Sequence, residues 1–176
     1  MAEQLQSLWR RLGIPADYAK RAGRRRQRVA PRLVSIGRAP DDGRILRLTP
    51  AAAKAWHRML AAAAEDGRTL LPLSAFRSVA RQTRIIRRKL ARGDRIEDIL
   101  RVNAVPGCSE HHTGRALDLG APGHLGLEVS FARTREFRWL RQHAAQFGFR
   151  LTYPRGNRQG IAYEPWHWCW QAPRRD

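Results

Sequence analysis

Leu5, Leu8, Trp9 and Leu12 recur at spacings of three and four, which predicts a short amphipathic helix ending near Gly13. Two strand-like runs follow, Leu33-Val34-Ser35-Ile36 and Arg44-Ile45-Leu46-Arg47-Leu48. Asp41-Asp42-Gly43 between them reads as a turn, so the pair predicts a hairpin. Thr49-Pro50 is a helix start, a capping hydroxyl followed by proline at the first helical position. The alanine-rich run from Pro50 to Glu65 continues it and stops at Asp66-Gly67, with Trp56, Met59 and Leu60 toward the core and His57 on the surface. Leu70 to Ser74 predicts a buried strand. Ser78 is placed to cap a helix from Val79 to Arg92, stopped by Gly93, and Asp94 to cap a shorter one through Leu100. On the first of these, Val79, Gln82, Ile86 and Leu90 share one face, while Arg81, Arg84 and Arg88 share another. Thr134 caps a helix to Phe147 with Phe137, Leu140, Ala144 and Phe147 as its buried stripe, closed by Gly148. Phe149–Tyr153 and Ile161–Trp168 read as strands joined by a loop holding Gly156 and Gly160. Helices beside a small, mostly antiparallel sheet make an α+β fold.

The chain has 176 residues, enough for one core, and 43% of them are hydrophobic. Residues 1–48 are expected to form an N-terminal basic segment packing on or preceding a domain over 49–176. The net charge of +19 departs from an ordinary globular balance. Part of it is clustered, at Arg24, Arg25, Arg26 and Arg28. A solvated arginine surface is the plain reading; attraction to a polyanion is the sharper one. No apolar run reaches the length of a bilayer span. Met1 to Ser7 is polar and lacks the apolar stretch of a signal peptide. Two cysteines, Cys108 and Cys169, are no disulfide framework; two buried free thiols are expected, and a disulfide between them implies an oxidising compartment.

Chemistry concentrates in two stretches. Cys108 to Asp118 sets His111 and Asp118 seven residues apart, and Tyr163-Glu164-Pro165-Trp166-His167-Trp168 adds an imidazole and a carboxylate. A catalytic zinc site uses three protein ligands, an open position, and a nearby carboxylate that handles the proton of water. His111, Asp118 and His167 fit the ligands and Glu164 the base, with one Zn2+ per chain. Glu164 and His167 point to opposite faces of a regular strand, so the chain must bend between them, and Pro165 makes that bend. His112 points away from His111 if the segment is extended; His124 and His143 have no partner at a telling spacing.

Ser109, His111, Gly114, Ala116 and Asp118, followed by Glu164-Pro165-Trp166-His167, resemble the Ser-x-His-x-x-Gly-x-Ala-x-Asp and Glu-Pro-Trp-His motifs of the zinc D-alanyl-D-alanine carboxypeptidases of the vancomycin-resistance type. Ser74-Ala75-Phe76-Arg77-Ser78 with Gln82 is similar to that family's Ser-Gly-Tyr-Arg-Ser-x-x-x-Gln, with Ala75-Phe76 in place of Gly-Tyr. The resemblance spans roughly residues 70 to 170. It implies the fold shared with the hedgehog signalling domain, Arg77 as the cation facing the oxyanion, and Gln82 and Ser109 as substrate-binding residues. It also implies a D-Ala-D-Ala-terminated peptidoglycan stem peptide as substrate and the cell envelope or periplasm as location.

Three rival readings remain from the sequence. A peptidoglycan endopeptidase, L,D-carboxypeptidase or dipeptidase uses the same site. A basic polyanion-binding module has the charge, but no nucleic-acid-reading signature accompanies it. A metal-bound, inactive wall-binding domain has no need of Glu164. The basic surface is expected to favour anionic cell-wall or lipid polymers over sequence-specific nucleic acid.

Overall fold

The computed structural model describes residues 2–172. In chain order the elements are α1 (Ala2–Arg11), a short α2 (Tyr18–Arg21), β1 (Val34–Arg38), β2 (Ile45–Leu48), α3 (Pro50–Glu65), β3 (Leu71–Ser74), α4 (Val79–Leu90), α5 (Ile96–Val102), β4 (Ala116–Gly120), α6 (Arg135–His143), β5 (Phe149–Leu151) and β6 (His167–Trp170). β1 and β2 form an antiparallel hairpin, and a second antiparallel sheet has the order β3-β4-β6-β5. The fold is α+β. No helix among the described residues is long and apolar enough to cross a membrane.

α3 begins and ends where its pattern predicts. Its start works differently: Thr49 makes no side-chain cap. Its methyl instead packs toward Gly114, and its backbone N–H donates to the Gly114 carbonyl at 2.8 Å. Ser78 and Thr134 do cap, accepting from the N–H groups of Arg81 and Phe137. Asp94 does not: α5 starts one residue later, with Arg95 at its N-cap position and no side-chain cap bond. Ile161 to Trp166 is irregular rather than extended, and the last strand starts only at His167.

Two apolar clusters hold these elements. The larger lies between the sheet and α3, around Trp56, Met59, Leu117, Leu119, Phe131 and Phe149, and includes Leu46 and Leu48 of the hairpin. The smaller joins α1 to α4 and α5 through Trp9, Leu12, Ile14, Ile86, Ile99 and Leu100. Trp9 is 2% exposed, and its indole N–H donates to the Pro106 carbonyl at 2.9 Å. Residues before 49 thus contribute to both clusters.

Gly114 ends a 3-10 turn over Glu110–Thr113 in a left-handed conformation, φ 62°. A Cβ there meets Leu33 Cδ2 at 2.8 Å and Ala30 Cβ at 3.1 Å. Gly114→Ala is therefore expected to cost about 1–3 kcal/mol, from the left-handed penalty plus overpacking. Thermal unfolding should register a fall of roughly 5 °C, and an unchanged midpoint contradicts this account of the turn.

Candidate active site

The sheet lines up one row of polar side chains. Ser74 of β3 stands opposite Asp118 of β4, and Asp118 opposite His167 of β6. The 3-10 turn delivers His111 to the same place. Asp118 is the centre: its Oδ1 lies 3.0 Å from His167 Nδ1, and its Oδ2 lies 3.2 Å from His111 Nε2 and 3.4 Å from Arg77 NH2. One ligand atom from each of His111, Asp118 and His167 falls within 4.8 Å of the others, and all three residues are buried.

Hydrogen bonds decide which nitrogen of each ring faces this point. His111 Nδ1 donates to the Ala75 carbonyl at 2.7 Å, which leaves the Nε2 lone pair toward Asp118. Burial, with Arg77 adding to it and Asp118 opposing, holds the His111 pKa at about 4, so the ring is neutral at pH 7. A neutral nitrogen lone pair thus faces a carboxylate oxygen at 3.2 Å. Two acceptors set together without a proton between them fit a bound cation. Burial works against a charge on His167, but its hydrogen bonds to Asp118 and Glu110 outweigh it and raise the pKa to about 10. Burial also opposes the Asp118 charge, but the carboxyl is held well below the usual range, at neutral pH by the charged His167 whose Nδ1 donates to it. Two imidazoles and a carboxylate are a donor set that zinc accepts.

Glu164 stands at the end of a tight turn. The His167 N–H donates to the Glu164 carbonyl at 3.1 Å, so Pro165 and Trp166 form the bend and both side chains reach one site. Glu164 Oε2 is 4.0 Å from His167 Nδ1, outside hydrogen-bond range. Burial pushes the Glu164 pKa up to about 7; His167 pulls it down, and Asp118 adds to the rise. A carboxyl near neutrality is suited to passing protons at physiological pH.

A cleft of about 310 Å³ opens here, lined by Arg77, Ser109, Tyr153, Glu164 and Trp166 together with the three candidate ligands. Arg77 is fixed within its wall, donating to Gln82 Oε1 at 2.9 Å and to Ser74 Oγ at 3.3 Å. Gln82 is fully buried and absent from the lining; its amide nitrogen donates to the Ala104 carbonyl at 2.6 Å. Both ends of its amide are engaged, so the structure places it behind Arg77 rather than against a substrate. Ser109 remains in the lining. His112, on a 3-10 turn rather than an extended segment, is fully buried and away from the cleft. Its ring donates to the Arg77 carbonyl through Nδ1 and accepts from the Gly107 N–H at 3.0 Å through Nε2. It thus pins the Arg77 segment to the loop that carries His111. Both thiols are free and buried.

Sequence reasoning missed two neighbours. Tyr153 stacks on the His167 ring at 4.6 Å between centroids, and Glu110 accepts from His167 Nε2 at 2.9 Å. Tyr153 lies within the span of the resemblance, before Pro154, and Glu110 lies inside the first motif, so position alone could have nominated both.

A family model described as "VanY: D-alanyl-D-alanine carboxypeptidase" matches residues 45–173. The chain is 35% identical over 121 residues to "Putative carboxypeptidase YodJ" of Bacillus subtilis (strain 168), across 66% of this chain and 43% of that protein. The chain therefore spans less than half the length of that relative. Among solved structures, an LD-carboxypeptidase, LdcB, matches with a TM-score of 0.72 at 28% identity, over 82% of this chain and 70% of the other. A vancomycin-resistance D,D-pentapeptidase, VanY, in complex with Zn(II), matches with a TM-score of 0.63 at 26% identity, over 84% and 85%.

Proposed function

Because the chain belongs to the VanY family of D-alanyl-D-alanine carboxypeptidases, we propose that it is a zinc-dependent hydrolase removing the terminal D-Ala from peptidoglycan stem peptides that end in D-Ala-D-Ala. The observation that carries this reading is the set of three buried acceptor residues, His111, Asp118 and His167, with Glu164 in the same cleft. His111 through Nε2, Asp118 through its carboxylate and His167 through Nδ1 are the proposed ligands. When bound there, a zinc ion supplies a Lewis acid and lowers the pKa of water. Glu164 takes the proton of the attacking water and delivers it to the leaving amine. Arg77, held rigid by Gln82 and Ser74, presents its guanidinium to the oxyanion. Ser109 offers a hydroxyl to the substrate's carboxylate or backbone. The similar proteins point to peptides as partners, and none of them to an anionic polymer.

Mass analysis of products from the zinc-loaded protein tests the activity, with a pentapeptide ending in D-Ala-D-Ala and a tetrapeptide ending in a single D-Ala after an L-centre. Release of one D-Ala from the pentapeptide is expected; its absence overturns the proposal, and cleavage of the tetrapeptide alone reassigns the bond.

The charge state of the site predicts how it loads. At pH 7 the metal-free cluster carries neutral His111, protonated His167 and ionised Asp118, since the two histidines titrate at about 4 and about 10. His167 would have to give up its Nδ1 proton for a zinc ion to be held there. About one proton should be released per zinc, and affinity should rise about tenfold per pH unit up to about 10. Calorimetry in buffers of different ionisation enthalpy reads this directly, and zinc binding without proton release contradicts it. The sign for the metal-free fold is opposite. The folded His167 pKa lies above its unfolded value, so its contribution to stability is complete below about pH 6.5 and is lost as pH rises through about 10.

A further inference from the structure

Glu110 touches the site from behind. Its Oε2 accepts from His167 Nε2 at 2.9 Å and from the Thr152 hydroxyl at 2.7 Å. It is absent from the lining of the catalytic cleft and lines a separate pocket on the other side of Tyr153, beside Arg24, Arg25 and Arg158. It is therefore not placed to touch a substrate in that cleft or to act as a base there.

The two histidines present opposite nitrogens to the same point. His111 shows Nε2 because Nδ1 is spent on the Ala75 carbonyl. His167 shows Nδ1, toward Asp118, while Nε2 is turned to Glu110. A ring nitrogen facing a metal keeps its direction when the other nitrogen is bound to a fixed acceptor. Ala75 is backbone and cannot be lost by mutation; the acceptor for His167 is a side chain on the turn that carries His111. Thr152, next to β5, holds that carboxylate from the far side. Tyr153 stacks flat on the ring and limits its tilt, but supplies no acceptor for Nε2.

Resting on the zinc reading above, we propose that Glu110 is a positioning residue of the metal centre: its carboxylate, braced by Thr152, turns His167 so that Nδ1 is the nitrogen offered to zinc.

The test is zinc affinity of the full chain, measured by competition with a chromophoric chelator, together with the visible spectrum of the cobalt(II)-substituted protein. Glu110→Leu keeps the bulk and removes the acceptor; zinc affinity should fall about tenfold to a hundredfold, and the cobalt bands should shift. Glu110→Gln keeps an oxygen that accepts the same Nε2–H and should recover most of that loss, with bands close to wild type. A role confined to stability predicts no such recovery pattern in the spectrum. If Glu110→Leu fails to fold, Thr152→Val decides: it removes only the brace, and a loss of severalfold in affinity is expected. Affinity within twofold of wild type in whichever of these variants folds overturns the proposal. The readout involves the metal alone, so failure of the protein to cleave peptides counts against the proposed hydrolase activity and not against Glu110.

Discussion

Glu164→Gln is expected to keep the fold and the zinc and to lower turnover by about a hundredfold to ten-thousandfold. The amide has nearly the same shape, and no described bond depends on the carboxylate: Glu164 is anchored by its backbone, donating to Tyr153 and accepting from His167. The carboxylate stands 4.0 Å from His167 Nδ1, close enough to meet a water between them and too far to be bonded to it. Its pKa of about 7 comes first from burial. An amide cannot take a proton at any pH in that range. The loss should appear in kcat with KM little changed, because the group acts on the proton in transit rather than on the bound peptide. Wild-type turnover in a variant shown to hold zinc removes Glu164 from the mechanism.

His167→Ala should have the largest effect on the metal. It removes one of three donors, leaving His111 and Asp118, so stoichiometric zinc and peptide hydrolysis should both be lost. It also leaves two carboxylates, Asp118 and Glu110, that faced the same ring at 3.0 and 2.9 Å. Breaking a buried ionic cluster from one side costs on the order of 3–5 kcal/mol. The metal-free variant should therefore unfold well below metal-free wild type near pH 7, where the His167 imidazolium is present. Zinc content by atomic absorption and thermal unfolding of both metal-free proteins check the two halves separately. One zinc per chain in His167→Ala removes it from the ligand set.

The elements were legible where local chemistry decides them. Proline at the first turn and a uniform apolar face marked α3 from Pro50 to Glu65, and Ser78 and Thr134 sit at caps that their hydroxyls complete. Thr49 misled because its neighbourhood is tertiary: the methyl is held against Gly114, a residue of the catalytic turn. Asp94 misled by one position, and spacing does not separate it from Arg95. Ile161 to Trp166 carries strand-forming residues, yet it is the bend at Pro165 that brings Glu164 and His167 to one point. Motif spacing nominated the residues of the site, but the contacts among them belong to sheet register. The pairing of Asp118 with His167 across β4 and β6 brings those two side chains together, Oδ1 to Nδ1. Gln82 shows the limit most clearly: its helical face was readable, whereas its engagement by Arg77 and Ala104 depends on two other segments.

The two buried thiols give the molecule a pair of internal clocks. Alkylation requires the thiolate. Burial raises the Cys108 pKa to about 11 and raises that of Cys169 further, so both are silent while their surroundings stay closed. They belong to different neighbourhoods. Cys108 lies in the cluster that fastens α1 to α4 and α5, whereas Cys169 lies on β6, opposite Ala116 of the central strand β4. Labelling at Cys108 therefore times release of the N-terminal helix, and labelling at Cys169 times parting of the sheet. A metal tying the loop at His111 to β4 and β6 should slow the second clock far more than the first. The ratio of the two labelling rates then reports which part of the protein yields first when zinc is withdrawn.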